Sequence, residues 1–196
     1  MRKLSSTLGL MILLSFTVTC KRQEPQAEYR PVATIRDLMD SMVDPSADII
    51  WESVATNVTA TGKEDKQPRT PEEWAAVRRG AVTLVEATNL LIMPGRHVAR
   101  PGEMLNNGSE ELGPEQIEPL INQDRAEWTK KAHGLHDAAM EALKAVDAKN
   151  VQGIFDAGHD IDVACENCHV KYWYPNSAQA ADVRKEAEEQ EKQKKK

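Results

Sequence analysis

The stretch 151–172, VQGIFDAGHDIDVACENCHVKY, decides how the rest of the chain is read. Val151, Ile154, Phe155, Gly158, Ile161, Cys165, Cys168 and Tyr172 recur three or four residues apart, which places them on one face of a helix. Asp147-Ala148-Lys149-Asn150 precedes it as a short turn, so the preceding helix is expected as an antiparallel neighbour. Pro175 stops it. Two thiols thus stand one turn apart on the apolar face, with His169 beside the second.

Cys165-Glu166-Asn167-Cys168-His169 has the C-x-x-C-H spacing of covalent haem attachment. Two thiols three apart on a helix sit on nearly the same face, where each can add to one vinyl group. His169, next in line, then presents an imidazole to the iron. Two other chemistries use paired cysteines. A dithiol redox site usually has its first cysteine at a helix N-terminus, where the dipole lowers the thiol pKa, and this pair lies near a helix end without a βαβ pattern. A zinc site takes four ligands, and the chain has no second cysteine pair. The reading is therefore one haem c per chain.

Haem of this kind is attached outside the cytoplasm, and the N-terminus agrees. Arg2 and Lys3 form a positive segment, and Leu8 to Phe16 form an apolar run too short to span a bilayer comfortably. Residues 1–19 read as a secretory signal, with an uncleaved anchor as the competing reading. Val18-Thr19-Cys20 resembles a bacterial lipoprotein box, although such boxes favour Leu where Thr17 stands and a small residue at Thr19. Lipidation of Cys20 competes with an ordinary peptidase cut. If Cys20 carries lipid and Cys165 and Cys168 carry haem, none of the three cysteines is left as a free thiol. The expected location is the periplasm, or a membrane face turned towards it.

Removing residues 1–19 takes Arg2 and Lys3 from the 25 bases and leaves 23 against 31 acids, a formal charge of −8. That sign argues against nucleic acid and anionic lipid surfaces, and favours a redox partner protein with a basic patch. Aromatics are only 5% and charged residues 29%, a balance that leans towards helix.

The expected organisation is a signal (1–19), a polar tether (20–30), a four-helix domain (31–175) and a charged tail (176–196) that is solvated on every face. The first helix is expected from about Pro31 to Thr56, with Ile35, Leu38, Met39 and Met42 on its stripe. Asp44-Pro45 interrupts it, by a kink or by a fresh start capped by Asp44, and Trp51 falls off the stripe. Residues 57–69 read as a loop. Thr70-Pro71-Glu72-Glu73 opens a second helix that Met93-Pro94-Gly95 ends. After a long loop from Pro94 to Gly113, a third helix is expected from about Pro114 to Ala148. Trp128, Ala132, Leu135, Ala139, Ala142 and Val146 supply its core positions.

A four-helix pattern with Cys165-x-x-Cys168-His169 on the last helix, Tyr172 after it, and Leu38-Met39 on the first helix resembles the cytochrome c′ class over roughly Pro31 to Pro175. The resemblance implies an all-α, antiparallel four-helix bundle with haem between the first and fourth helices, near one end. It also implies two subtypes. In one, a methionine on the first helix completes a low-spin site for one-electron transfer, and Met39 stands where that ligand is kept, with Met42 one turn on as the alternative. In the other, the iron has His169 alone and binds nitric oxide or carbon monoxide, and both methionines are core packing. Members of the class often form homodimers. The class often carries Arg shortly after the histidine, whereas Lys171 and Trp173 flank Tyr172 here.

The carrier reading excludes catalysis: a peroxidase-like enzyme needs an acid–base group over the iron, and no convincing distal histidine is present. His133 and His136 read as surface residues, and His159 as solvated off the haem face. Arg96 and His97, in the long loop, are candidates to meet a haem propionate. Trp74 and Trp128 read as core.

Overall fold

The computed structural model describes residues 29–59, 62–103 and 110–194. Cys20, the signal and most of the tether lie outside them. The elements run α1 (Ile35–Leu38), a π-helical turn (Met39–Val43), α2 (Asp44–Trp51), β1 (Ala55–Thr59), β2 (Gly62–Lys66), α3 (Pro71–Leu91), α4 (Pro114–Gln123), α5 (Arg125–Asp147), α6 (Val151–Tyr172) and α7 (Ala178–Lys194). Among the described residues the protein is all-α but for one hairpin.

The first bundle helix is composite. Thr34 caps it reciprocally with Asp37, whose amide donates to the Thr34 hydroxyl at 3.0 Å while its carboxylate accepts from the Thr34 amide at 2.9 Å. A continuous α-helix would drive the Pro45 ring into the carbonyl of Ser41. The chain widens by one residue instead, and the Asp44 amide donates to the Met39 carbonyl in an i→i+5 bond. So the expected kink takes the form of a π turn, and Asp44 begins α2 without capping it through its side chain.

Four helical stretches close a ring in which α1–α2 pack on α3, α3 on α5, α5 on α6, and α6 back on α2. Each neighbour runs antiparallel. Arg78 meets Asp147 at 2.7 Å while the Trp128 indole donates to the Leu91 carbonyl at 3.0 Å, which fixes α3 against α5. The Trp51 indole donates to the Gly158 carbonyl at 2.8 Å, fixing α2 against α6. The Ile35 and Arg36 amides donate to the carbonyls of His97 and Val98, tying the start of α1 to the end of α3. All six core positions expected on α5 are buried. The start of α3 is as read: Glu73 accepts from the amides of Arg69 and Thr70, and its own amide donates to the Thr70 hydroxyl. These bonds hold the Glu73 carboxyl below the usual range.

Four expectations need correction. Residues 57–69 are not a plain loop: Thr56, Val58 and their neighbours pair antiparallel with 62–66, in register Thr56↔Asp65 and Val58↔Lys63. The helix expected over 114–148 is two. Asp124, at φ −135° and ψ 71°, breaks it, and its carboxylate accepts from the Glu127 amide to cap α5. That break lets α4 fold across the end of the bundle and bury Ile117 and Ile121. Phe155, placed on the apolar face of α6, is 57% exposed. The tail is helical, and its first turn is not solvated, since Ser177 and Ala180 are buried.

The buried residues form two clusters. One holds Val43, Ala47 and Ile50 with the middles of α3 and α5 and Ile154 to Ile161. The other holds Ile35, Leu38, Leu91, Val98, Ile117, Ile121, Trp128 and Tyr172. Met39 and Met42 touch both, while Cys165 flanks the first and Cys168 the second.

Close approach in the ring makes a test. A Cβ on Gly80 of α3 would lie 2.8 Å from Cγ2 of Ile49 on α2. Gly80→Val is expected to cost about 1–3 kcal/mol by overpacking, and Ile49→Ala in the same chain to recover part of it. Gly134→Ala on α5 meets open space and is expected to stabilise by roughly 0.5–1 kcal/mol through helix propensity. Denaturant titration of the three variants reads both signs.

Candidate functional site

Between the two clusters lies a cavity of about 200 Å³ lined by Met39, Val43, Leu91, Trp128, Leu135, Cys165, Cys168 and His169, with Trp51, Asp44, Lys131, Asp162 and Glu166 among the remaining walls. Its position follows from the helices. The π turn hands Met39 to the interior, and the last turns of α6 carry both cysteines and the histidine across from it. Met42 is half-buried and is not part of the lining.

The walls are electrostatically distinct. Burial pushes the Cys165 thiol up to about 12, with Asp44, Asp162 and Glu166 adding to the effect. Burial also pushes Cys168 up to about 12, against a smaller opposing pull from Lys131. A thiol held in this state is the opposite of an activated redox nucleophile. Both residues count as half-buried because the cavity beside them admits water, yet the protein packed around them disfavours a charge. Burial lowers the His169 pKa, partly offset by Glu166, Asp44 and Glu111, so its imidazole is held neutral with a lone pair free for a metal.

Two polar side chains near the end of α6 each keep one buried atom without a partner. Glu166 accepts from the Tyr174 hydroxyl at 2.8 Å through one oxygen, while its other oxygen is buried without a partner. The Tyr172 hydroxyl is likewise buried and unpartnered, its ring edge-on to Trp128 at 5.3 Å between centroids. The unmet Glu166 oxygen belongs to a residue of the cavity wall, whereas Tyr172 is not part of the lining. The donor set fits haem in particular: two protonated thiols one turn apart, a neutral imidazole, and a thioether on the opposing helix. The cavity is smaller than the ~300–1,000 Å³ of typical cofactor sites, so the flexible Lys131 and the exposed Asp162 side chain must swing aside for a group of that size. Among the described residues, no group of three His, Cys, Asp or Glu is arranged to hold a bare metal ion.

The other candidates lie elsewhere. The Arg96 guanidinium donates to the backbone carbonyls of Leu90 and Ala33 and reaches the Met93 sulfur at 3.6 Å, so it clamps the end of α3 to the segment before α1. His97 is exposed and sits 2.9 Å from Glu118. His133 and His159 are exposed, and His136 lies half-exposed, 3.4 Å from Asp137. Trp74 packs on the first cluster and Trp128 is buried in the second. Sequence reasoning missed Glu166, Asp44 and Trp51 as cavity residues. Only Trp51 left a signal, as the aromatic that fell off the stripe.

No protein-family profile and no curated protein matches the chain. Among solved structures it is similar to the nitric oxide complex of a leucine-to-alanine mutant of cytochrome c prime from Alcaligenes xylosoxidans, at 18% identity, 73% of this chain, 98% of the other, and a TM-score of 0.44. A ferrous arginine-to-glutamine variant of the same protein gives 18% identity, 73% and 99% coverage, and a TM-score of 0.43. Another cytochrome c′ gives 17%, 73%, 99% and 0.40. At such identities and scores these likenesses say nothing about ligands, and the functional reading rests on the side chains of this chain.

The raised thiol pKa values carry a sign. Less thiolate at a given pH means slower alkylation, so the folded chain produced without haem attachment should react with iodoacetamide at pH 8 roughly a thousandfold more slowly than the unfolded chain, whose thiols titrate near 8.5. Equal rates would show that the two cysteines are not desolvated.

Proposed function

We propose that this protein is an exported c-type cytochrome that carries one haem for one-electron transfer and is a carrier, not an enzyme. The observation that carries the reading is that Cys165, Cys168 and His169 from one end of α6, and Met39 from the π turn, line a single cavity between the two halves of the core. When bound there, the haem would supply a one-electron ferric–ferrous couple whose potential its ligands set.

The residues divide the work. Cys165 and Cys168 hold the group covalently through thioethers, so it cannot leave in a dilute compartment. His169 serves as a neutral nitrogen ligand, kept neutral by burial. Met39 supplies the sulfur ligand, which favours ferrous iron and a higher potential. Leu91, Leu135 and Trp128 exclude water from the interior side. The π turn matters here, because such turns recur at functional sites and this one places Met39 within the lining and leaves Met42 outside it.

A second reading has its own observation. Met39 is half-buried and packs on both clusters as an ordinary core methionine does. If it stays off the iron, the open face would bind nitric oxide or carbon monoxide.

Export and lipidation belong to the same proposal. Cys20, outside the described residues, is taken as the lipidated N-terminus of the mature chain, anchored at a membrane and facing the periplasm. Among the described residues no helix is long and apolar enough to cross a membrane.

Three measurements test this. Haem should remain on the chain through denaturing electrophoresis, and the double change Cys165→Ser with Cys168→Ser should abolish the stain. Met39→Leu should turn a low-spin spectrum high-spin, lower the potential and speed carbon monoxide binding, while Met42→Leu does much less. A wild type that is already five-coordinate would transfer the case to gas binding. Labelled fatty acid should mark the wild type and not Cys20→Ala, and an unlabelled wild type would refute the lipid anchor.

A further inference from the structure

Trp51 and Asp162 belong to two surfaces at once. On one side they wall the cavity with Cys165 and His169; on the other they wall an open groove of about 450 Å³ with Val54, Ile154, Phe155 and Gly158. Phe155 is 57% exposed and Trp51 37%. The Trp51 ring is held in place, since its indole donates to the Gly158 carbonyl at 2.8 Å and a Cβ on Gly158 would lie 3.1 Å from Cδ1. A fixed, half-exposed tryptophan beside an exposed phenylalanine costs little entropy to bury and has the character of a binding hot spot.

The helices that flank this groove carry one sign of charge. From Asp40 to Glu52 the acids are Asp40, Asp44, Asp48 and Glu52, and no lysine or arginine occurs between Arg36 and Lys63. On α6, Asp162 lines the groove and no lysine or arginine occurs between Lys149 and Lys171, whereas Asp156 and Asp160 lie on the α5 side of the helix in a hollow with Glu141 and Lys144. Lys131, on the opposite wall of the cavity, lies 3.7 Å from Glu127. An apolar centre within an acidic field suits an occupant with an apolar contact surrounded by lysines or arginines. A second copy of the chain fits poorly, because a two-fold axis through the groove would set these acids against themselves.

We propose that the groove between α2 and α6 is the docking surface for a basic redox protein, which would there stand separated from the cofactor cavity by Trp51. This rests on the electron-transfer reading above and names the partner's chemistry.

The test uses the haem-loaded full chain and, as probe, a small lysine-rich c-type cytochrome. Calorimetric titration at low salt should show saturable binding that weakens at least about tenfold when salt is raised well past the point where the Debye length falls to ~10 Å. The triple change Asp48→Asn, Glu52→Gln and Phe155→Ser, all exposed and beside the groove residues Trp51 and Val54 or on its α6 wall, should weaken low-salt binding at least about tenfold and flatten the salt dependence. A matched triple elsewhere, Leu120→Ser, Asp137→Asn and Glu186→Gln, removes one exposed apolar side chain and two charges away from the groove and should stay within about twofold if docking is local and not a response to net charge. Equal loss in both triples, or salt-independent binding, would overturn the proposal, as would a homodimer in sedimentation that the Phe155 triple dissolves. Electron exchange with a small neutral reagent is measured alongside. Its absence defeats the electron-transfer reading, whereas its presence with unchanged binding in the Phe155 triple defeats only the docking surface.

Discussion

The structure depends on an interruption in its own core. A four-helix bundle is expected to fill its interior continuously, because a void forfeits contacts on every wall. Here the apolar face of α6 is buried at Ile154 and Ile161 and again at Val170 and Tyr172, while residues 164–169 between them are half-buried. The same gap separates the two clusters, bridged by Met39 and Met42. It coincides with the two cysteines and the histidine, so packing is loosest where the two thiols and the imidazole sit. An attached group would complete the core as well as supply a function, which couples stability to attachment.

The first helix is shaped by the same gap. Pro45 forces a wide turn at Met39–Val43, and that turn resets the phase of everything after it. Before it, Ile35 and Leu38 face the second cluster; after it, Ala47 and Ile50 face the first. Trp51 then points along α6 towards Gly158, where a continuous 3.6-residue period does not put it. A single proline thereby sets which methionine lines the cavity and which aromatic closes its side. The carboxylates on this helix follow the shift. Asp44 comes to lie against the histidine wall, where burial raises its pKa and Asp40 and Asp48 add to the rise.

Long periodic segments were legible because burial acts on them one face at a time. The α5 stripe from Trp128 to Val146, the capping box at Thr70 and Glu73, and the antiparallel return through Asp147–Asn150 all stand where their residue types place them. Short segments were harder. The hairpin at 55–66 is polar and exposed, so no burial pattern announced it; its alternating Thr56, Val58 and the Gly62 turn at φ 141° were the faint traces. Asp124 ends α4 by its own backbone conformation, which a sequence reading took as one long helix. Phe155 kept the helical period of the buried face yet faces solvent, because α2 ends at Trp51 and leaves that part of α6 uncovered.

By itself the sequence determined the all-α class, the pairing of the last two bundle helices, and the cluster Cys165, Cys168, His169, since these depend on spacing along one helix, which local geometry fixes. Only the tertiary structure decided that Met39 lines the cavity and Met42 does not, that Arg96 is spent on the carbonyls of Leu90 and Ala33 and does not line the cavity, and that Glu166 is buried with one oxygen unpaired. Each of these depends on how two or more helices lie against one another. The phase of one helix relative to the next is set by packing across the bundle, and a residue's neighbours across that gap leave no period in its own segment.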